Sequence, residues 1–319
     1  MEPVEIDFGR HNPGVDPGLE LWGWEIPVYL FLGGIVAGLM VVPALLELRG
    51  RKPEGAGLRM APWLAAVLLS LGMGALFLDL GHKLYVWRFY LAFRPTSPMS
   101  WGSWILLLVY PVLVLQGLGT ADEHGRRFLR TLAGPLSGLV DRLTALADGW
   151  RRPVLTASVV LGAGLGVYTG LLLGTTPARM LWNSALLGPL FLTSGLSAGA
   201  ALLLLLPLTT EERHAVARFD MGAMGTELVL LKLYLTGLAT GGEPQRIAAS
   251  TLLGGEWAPQ FWALVVFAGL GAPLALDAAE LRRHRPFTRL APVLVLVGGF
   301  SLRAVLVAAG QDVSFALVP

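Results

Sequence analysis

Cysteine is absent from all 319 residues. That excludes disulfides, thiolate-bound iron–sulfur clusters and a cysteine nucleophile in this protein. Charge is scarce as well: Asp, Glu, Lys and Arg together make up 14% of the sequence, against about 25% in an ordinary soluble domain. Histidine occurs five times, as His11, His82, His124, His214 and His284. Only His82 falls at the edge of an apolar stretch and no two lie opposite each other inside such stretches, so no bis-histidine haem is expected within a membrane. The first 24 residues carry Glu2, Glu5, Asp7, Asp16 and Glu20 and lack the basic start and apolar centre of a signal peptide. The first apolar stretch is therefore expected to act as an uncleaved insertion signal.

What the chain has in abundance is apolar sequence. Hydrophobic residues make up 54% and the mean hydropathy is +0.63. They fall into eight runs: Ile26–Leu46, Ala61–Leu78, Gly102–Gly119, Val154–Thr175, Leu186–Leu208, Met221–Leu238, Trp257–Leu276 and Leu290–Ala309. Each is close to the roughly 20 residues that cross a bilayer core as a helix. The pattern predicts an all-α integral membrane protein with eight transmembrane helices. Lys and Arg in the connections set the orientation. Segments 48–60, 120–153, 209–220 and 277–289 hold sixteen of them, whereas the N-terminal tail and segments 79–101, 176–185, 239–256 and 310–319 hold six. Both termini are expected outside, on the periplasmic side. The seven outer-boundary tryptophans Trp22, Trp24, Trp87, Trp101, Trp104, Trp182 and Trp257 then form an aromatic belt.

Two motifs half a chain apart resemble each other, Pro27–Gly38 and Pro189–Gly199, each ending in small residues four apart (Gly34 with Gly38, Gly195 with Gly199). Small-xxx-small pairs let helix backbones approach closely, which is also the structural alternative to any functional reading. A parallel repeat implies two four-helix bundles side by side: a tail at 1–24, a first bundle at 25–175, a second at 184–310 and a tail at 311–319. Within the long inner connection, Leu129, Leu132, Leu136, Leu139, Leu143 and Leu146 recur at helical spacing. A cytoplasmic helix over about 125–150 is expected, lying on the interface or docked on the bundle.

Ionisable groups inside hydrocarbon cost about 2.5–3.5 kcal/mol each on insertion scales, so the few present carry the functional signal. Glu25 and Trp24 open the first span at the outer face, Asp79 and His82 end the second, and Tyr168 lies in the outer part of the fourth. Ser194 and Arg303 fall in the outer half of the fifth and eighth spans. A His–carboxylate pair exchanges protons near neutral pH, and a phenol donates to a carbonyl while its ring packs on a flat ligand. Together these suit a quinone head group, with Asp79 and His82 as catalytic proton carriers and Trp24, Glu25, Tyr168, Ser194 and Arg303 as further contacts. Each also has a structural alternative: a solvated helix end, an interfacial aromatic, a packing ion pair. Glu227 and Lys232, deeper in the sixth span, read as a proton path with Arg303, or as an ion pair. No metal site and no nucleic-acid partner are expected.

Several segments in order complete the picture: Tyr29–Gly38, Leu78-Asp-Leu-Gly-His82, Pro95–Trp104, Tyr168-Thr-Gly170, Leu181-Trp-Asn183, Ser194–Gly199 and Leu302–Gln311. Over residues 24–311 the set resembles the NrfD-like family, the membrane subunits of polysulfide reductase and related enzymes. The resemblance implies a bacterial inner-membrane subunit that binds menaquinone or ubiquinone without covalent or metal ligation. It also implies electron exchange with a docked ferredoxin-like iron–sulfur subunit, and through it with a molybdopterin or multihaem catalytic subunit. Haem and iron–sulfur clusters would reside in those partners. Tyr168 matches the family's pocket tyrosine, and the segment Asp79–His82 matches where related quinol-oxidising complexes carry theirs. The polysulfide reductase pocket uses an amide early in span one, where this protein has Glu25-Ile26-Pro27. A secondary transporter or ion channel, and a purely structural anchor, are the competing readings.

Overall fold

The computed structural model describes residues 22–91, 93–94, 97–175, 179–283 and 288–312, with the side chains of Phe89, Pro98, Arg282 and Arg283 excepted. The expectations placed on the N-terminal tail, on His11 and His284, and on residues 313–319 lie outside these. Among the described residues every regular element is helical. The main helices are α1 (Glu25–Leu48), α2 (Ala56–Asp79), α3 (Pro98–Thr120), α4 (Glu123–Ala133), α5 (Ser137–Gly149), α6 (Arg151–Leu173), α7 (Leu187–Leu205), α8 (Thr210–Ala239), α9 (Glu243–Leu253), α10 (Ala258–Leu281) and α11 (Leu290–Asp312).

Seven of them, α1, α2, α3, α6, α7, α10 and α11, are long and apolar enough to cross a membrane. Their outward faces carry exposed Val67, Leu71, Leu107, Leu108, Leu264 and Phe267. In water such a surface would aggregate; in hydrocarbon it needs no cover, while every helical backbone group stays paired. This is a multi-pass membrane protein. The sixth expected span lies within α8, which is longer, interrupted by charge, and outside that set of seven.

The sequence explains most helix boundaries. α1 stops where Gly50 takes φ +86, a conformation that glycine adopts without strain. α3 begins with Pro98 in its first turn, where the missing N–H is no loss. α8 opens on a capping box, with Thr209 and Glu212 satisfying each other's backbone N–H groups. The expected single helix over 125–150 is instead two, α4 and α5, because Gly134 at φ +52 followed by Pro135 breaks it. Phe128, Leu132, Leu136 and Leu139 along this pair are exposed. In the middle of α10, Phe261–Gly271 widens into a π-helix.

α1 is the hub, buried along nearly its whole length and packed on α2, α6, α7 and α11. Around it α1, α2, α3 and α6 contact one another in a ring, and α7, α8, α10 and α11 do likewise. The two rings meet where the repeated glycines touch each other: a Cβ on Gly38 would lie 2.7 Å from Gly199 Cα, and one on Gly34 would lie 3.2 Å from Gly195 Cα. The repeat motifs are thus each other's packing partners. No larger residue fits at that crossing without moving backbone.

One end of the molecule gathers tryptophans. Trp22 stacks on Trp182 at 4.9 Å, and Trp182 Nε1 donates to the Leu306 carbonyl at 2.7 Å. Trp22 N donates to Gln311 Oε1 at 2.8 Å, and Gln311 Nε2 donates back to the Trp22 carbonyl at 3.0 Å. The opposite, arginine-rich end is tied by Arg151, which donates from two nitrogens to both oxygens of Glu47 at 2.6 and 2.5 Å. There Glu212 also accepts the N–H groups of Glu54 and Gly55 at 2.8 and 2.9 Å, joining the α1–α2 connection to α8.

Candidate functional site

At the tryptophan end, α1, α2, α3 and α6 leave a cleft of about 90 Å³ that opens to the outside. Its walls are mostly apolar: Met73, Leu76 and Phe77 from α2, Met99 and Leu106 from α3, and Leu172 from α6, with Leu80 and Val86 at the mouth. Tyr29, Tyr90, Ser103 and Tyr168 supply the polar groups. Apolar walls with a few placed donors are the usual make-up of a small-molecule site.

Tyr168 is held by its neighbours. Gly102 of α3 lies against the hydroxyl end of its side chain, where a Cβ would come 1.9 Å from Tyr168 Cζ and 2.3 Å from its hydroxyl oxygen. Tyr29, 1% exposed, brings its hydroxyl to that of Tyr168 and has no other hydrogen-bond partner among the described residues. Two neighbouring phenols share one hydrogen bond between them, which leaves one O–H free to donate to an acceptor on a ligand in the cleft. Ser103 Oγ is turned back to the Ser100 carbonyl at 2.8 Å.

The other expected contacts divide among three places. Asp79, the last residue of α2, is half-buried at the rim within electrostatic reach of Glu25, the first residue of α1. Neither lines the cleft. Leu80, the next residue, does, because the helix ends there and the chain turns inward. His82 is exposed and lines an adjoining open pocket with Tyr85, Arg88 and Arg94; the two pockets share Leu80 and Met99. Trp24 is 63% exposed at the start of α1 and belongs to neither. The expectation of one cavity shared by acids, imidazole and phenol is therefore corrected: phenols line the inner cleft, the acids sit on its rim, and the imidazole lies outside it.

Arg303 and Ser194 are elsewhere again. Arg303, with no exposed surface, donates from Nε to the Leu30 carbonyl at 3.2 Å. Its Nη1 reaches Ser194 Oγ at 3.2 Å and the Gly299 carbonyl at 2.7 Å, and its Nη2 reaches the Phe191 carbonyl at 3.2 Å. Its guanidinium also stands 5.1 Å from the Phe191 ring. These contacts pin α1, α7 and α11 together at the glycine crossing, and the close approach of Gly34 is what admits the guanidinium. Neither Arg303 nor Ser194 touches the cleft. Glu227, 3% exposed, faces Ser194 and Arg303 from α8. Lys232 is exposed between exposed Val229 and Leu233. Five residues along a helix turn a side chain well away from its neighbour, so Glu227 and Lys232 do not pair.

Sequence reasoning overlooked Tyr29, Tyr90 and Gly102. The first had a signal, because it lies four residues after Glu25 and so shares its helix face. Gly102 sat in a quoted motif whose register gave no hint of a partner on α6. Among the described residues no group of three or more His, Asp or Glu is placed to hold a metal ion.

A multi-pass helical membrane protein with a phenol-bearing apolar cleft at one end is the class that fold and site define. Residues 12–315 match the family model described as "Polysulphide reductase, NrfD", and the protein belongs to that family. It is 33% identical to the Protein NrfD of Escherichia coli K12 over 91% of its own length and 95% of the relative. It is 29% identical to the C subunit of polysulfide reductase from Wolinella succinogenes, over 91% and 94%. Identity to the NrfD homologue of Haemophilus influenzae is also 29%, over 94% and 96%.

Proposed function

We propose that this protein is the quinone-reactive membrane subunit of a multi-subunit oxidoreductase. The pair of phenols Tyr29 and Tyr168, set side by side in the wall of an apolar cleft, carries the reading. In this reading α8 is an eighth span, the two helix rings are two four-helix bundles, and the tryptophan end with both termini faces the periplasm of a bacterial inner membrane. The charge asymmetry of the connections supports that orientation, and the named relatives support membership of a reductase complex.

A menaquinone or ubiquinone bound there would supply two-electron, two-proton chemistry. Tyr29 and Tyr168 would hold it through their hydroxyls, and the apolar walls would hold its ring and exclude water. Gly102 keeps the Tyr168 ring in place. Glu25 and Asp79 exchange protons with the mouth of the cleft, and His82 passes them to solvent through the adjoining pocket. A ferredoxin-like iron–sulfur subunit docked on the tryptophan end brings its cluster within electron-transfer reach, with a molybdopterin or multihaem subunit beyond it.

The test is to purify the complex in mild detergent, extract and identify bound quinone, and assay quinol-linked turnover of Tyr168→Phe and Asp79→Asn. Bound quinone, with turnover lost in complexes that still assemble, is the expected result. Wild-type kinetics in both variants sink the assignment. A quinone-free complex with full activity makes the protein a structural anchor, and solute uptake by the isolated subunit makes it a transporter.

A further inference from the structure

A cavity of about 320 Å³ lies at the arginine-rich end, where the last turns of α1 meet the first turns of α8 along the seam between the two rings. Its deeper wall is apolar: Val42, Leu45 and Leu46 from α1 and Phe219 from α8. Its rim is cationic, with Arg49 and Arg51 just beyond α1 and Arg218 on α8. Val42 precedes Arg49 by seven residues, so the apolar wall runs about 10 Å along the helix below that rim. Gly50 at φ +86 turns the chain back, and Arg51 N donates to the Leu46 carbonyl at 3.0 Å. That turn lets both arginines line one hollow. A second cavity of about 350 Å³ adjoins it, sharing Leu46, Arg51 and Ala215 and adding Lys52, Glu54 and Glu211.

Two observations say what this hollow takes. The first is charge. Arg59, Arg126, Arg127, Arg130 and Arg151, at the same end, are each matched by a carboxylate within 3.3 Å. Arg49, Arg51 and Arg218 form no ion pair among the described residues, and Arg218 gives only its Nε, to the His214 carbonyl at 3.2 Å. Glu212, which also lines the second cavity, spends both oxygens on the N–H groups of Glu54, Gly55 and Thr209 and does not compete for them. Orientation explains why arginines gather at this end, but not why these three surround an apolar-walled hollow. The second observation is depth: charge lies at the surface and hydrocarbon wall below it. A guanidinium pairs best with the planar-spaced oxygens of a carboxylate or phosphate, and basic pockets between membrane helices suit phospholipid head groups. A soluble anion would leave the apolar wall uncovered, and a neutral lipid would leave the rim unmatched. A phosphate joined to acyl chains answers both.

We propose that this hollow is a specific site for an anionic phospholipid of the leaflet at the arginine-rich end. The phosphate sits among Arg49, Arg51 and Arg218, and one acyl chain lies along Val42, Leu45 and Phe219. The rest of the head group reaches the second cavity, where Lys52, Glu54 and Glu211 offer partners of both signs to hydroxyl groups. Because α1 belongs to one ring and α8 to the other, the bound lipid bridges the rings at the end opposite Trp22 and Gln311. The site does not depend on what occupies the cleft.

The test uses the full-length protein, phosphatidylglycerol as the probe, and native mass spectrometry after extraction in mild detergent. Retention of a single phosphatidylglycerol per chain is expected. Titrated into delipidated protein, the same lipid should raise the melting temperature, as any ligand of the folded state does. Arg49→Gln and Arg218→Gln replace exposed side chains, so the fold should survive. Each should weaken binding about tenfold, the value of a charged hydrogen bond, and the double variant should show no melting shift. Arg152→Gln, at an exposed arginine that lines neither cavity, should bind as the parent does. Equal retention of a diacylglycerol with the same chains overturns the proposal in favour of a groove for hydrocarbon alone. An equal melting shift with inorganic phosphate overturns it in favour of a soluble anion. Wild-type affinity in the double variant removes the arginines from the site, and an equal loss in Arg152→Gln reduces the site to a diffuse basic surface; either result overturns it.

Discussion

The two halves of this molecule solve one problem in opposite ways. The first keeps Glu25 and Asp79 at the rim of its cleft, and the polar groups lining that cleft are all hydroxyls. The second packs four carboxyl groups, those of Asp220, Glu227, Asp277 and Glu280, tightly between helices, and none of them lines that cleft. A flat organic guest needs room and uncharged donors, because every fixed charge near it would have to be desolvated on entry. Between the halves stands Arg303, whose donors are spent on helix carbonyls and one serine. This guanidinium, wholly without exposed surface, acts first as a clasp.

The joint between the halves is the place to break this comparison most severely. Gly199→Val puts methyl groups where Gly38 Cα would lie 2.5 Å from the new Cβ. Overpacking of this kind costs about 1–3 kcal/mol even where side chains can yield, and here the obstacle is backbone. The variant is expected not to accumulate in membranes, judged by immunoblot against the parent. Full accumulation would show that the halves are joined by something other than this crossing.

Next in size, Gly102→Ala drives a methyl into the Tyr168 ring. The fold survives, and quinol-linked turnover should fall about 10- to 100-fold, the value of one or two lost hydrogen bonds to a ligand. Turnover unchanged would remove Tyr168 from the site. Tyr29→Phe sharpens the comparison further, because it separates stability from binding. Removing this buried hydroxyl, which is paired with Tyr168 alone, should change the stability of the quinone-free protein by about 1 kcal/mol or less, while quinone affinity drops about tenfold. A melting temperature that falls well beyond this along with affinity would mean the hydroxyl is held by more of the protein than Tyr168.

A smaller effect belongs to Glu212, which precedes the apolar stretch of α8. Burial alone would raise its carboxyl, but the N–H groups of Gly55, Thr209 and Glu54 outweigh that and hold it below the ordinary value. A lowered group contributes stability above its unfolded value, and that stability is lost as pH falls through the folded one. The wild-type melting temperature should therefore drop on acidification, and Glu212→Gln should melt lower at neutral pH with a flatter acid limb. Parallel acid limbs would show that the contact between the α1–α2 connection and α8 carries no net stability. The least effect is expected of Lys232→Leu. Its side chain is exposed between Val229 and Leu233, and turnover and proton uptake should match the parent; a loss would restore it to the proton path.

Much of the architecture was legible in the chain because hydrocarbon imposes a simple rule on composition. Seven of the eight expected spans coincide with helices long and apolar enough to cross. The remaining one, the sixth in order, falls inside α8, whose start lies eleven residues before Met221 because Thr209 and Glu212 cap it there. Tyr168 was legible in position, because the charge-derived orientation put it in the outer part of its span, where it lines the cleft. Asp79 and His82 were misplaced for a local reason: α2 ends at Asp79, and a helix end sends successive side chains in directions no periodicity predicts. Asp220 and Asp277 were hidden by bookkeeping of another kind. Each stood at the boundary between a span and a basic connection, and a window drawn for hydropathy counts such residues as solvated. What no reading of one sequence could supply was which faces meet, and both the Gly102–Tyr168 contact and the cavity between α1 and α8 depend on that.

The latch between Trp22 and Gln311 has a consequence for engineering. It places the two ends of the described residues side by side, so a short Gly-Ser linker could close them into a loop. New termini could then be opened at the exposed Gly134-Pro135 break between α4 and α5, a site of the kind that tolerates cutting. Such a rearranged protein would keep the buried contacts of both rings while α6 and the second ring are synthesised before α1, α2 and α3.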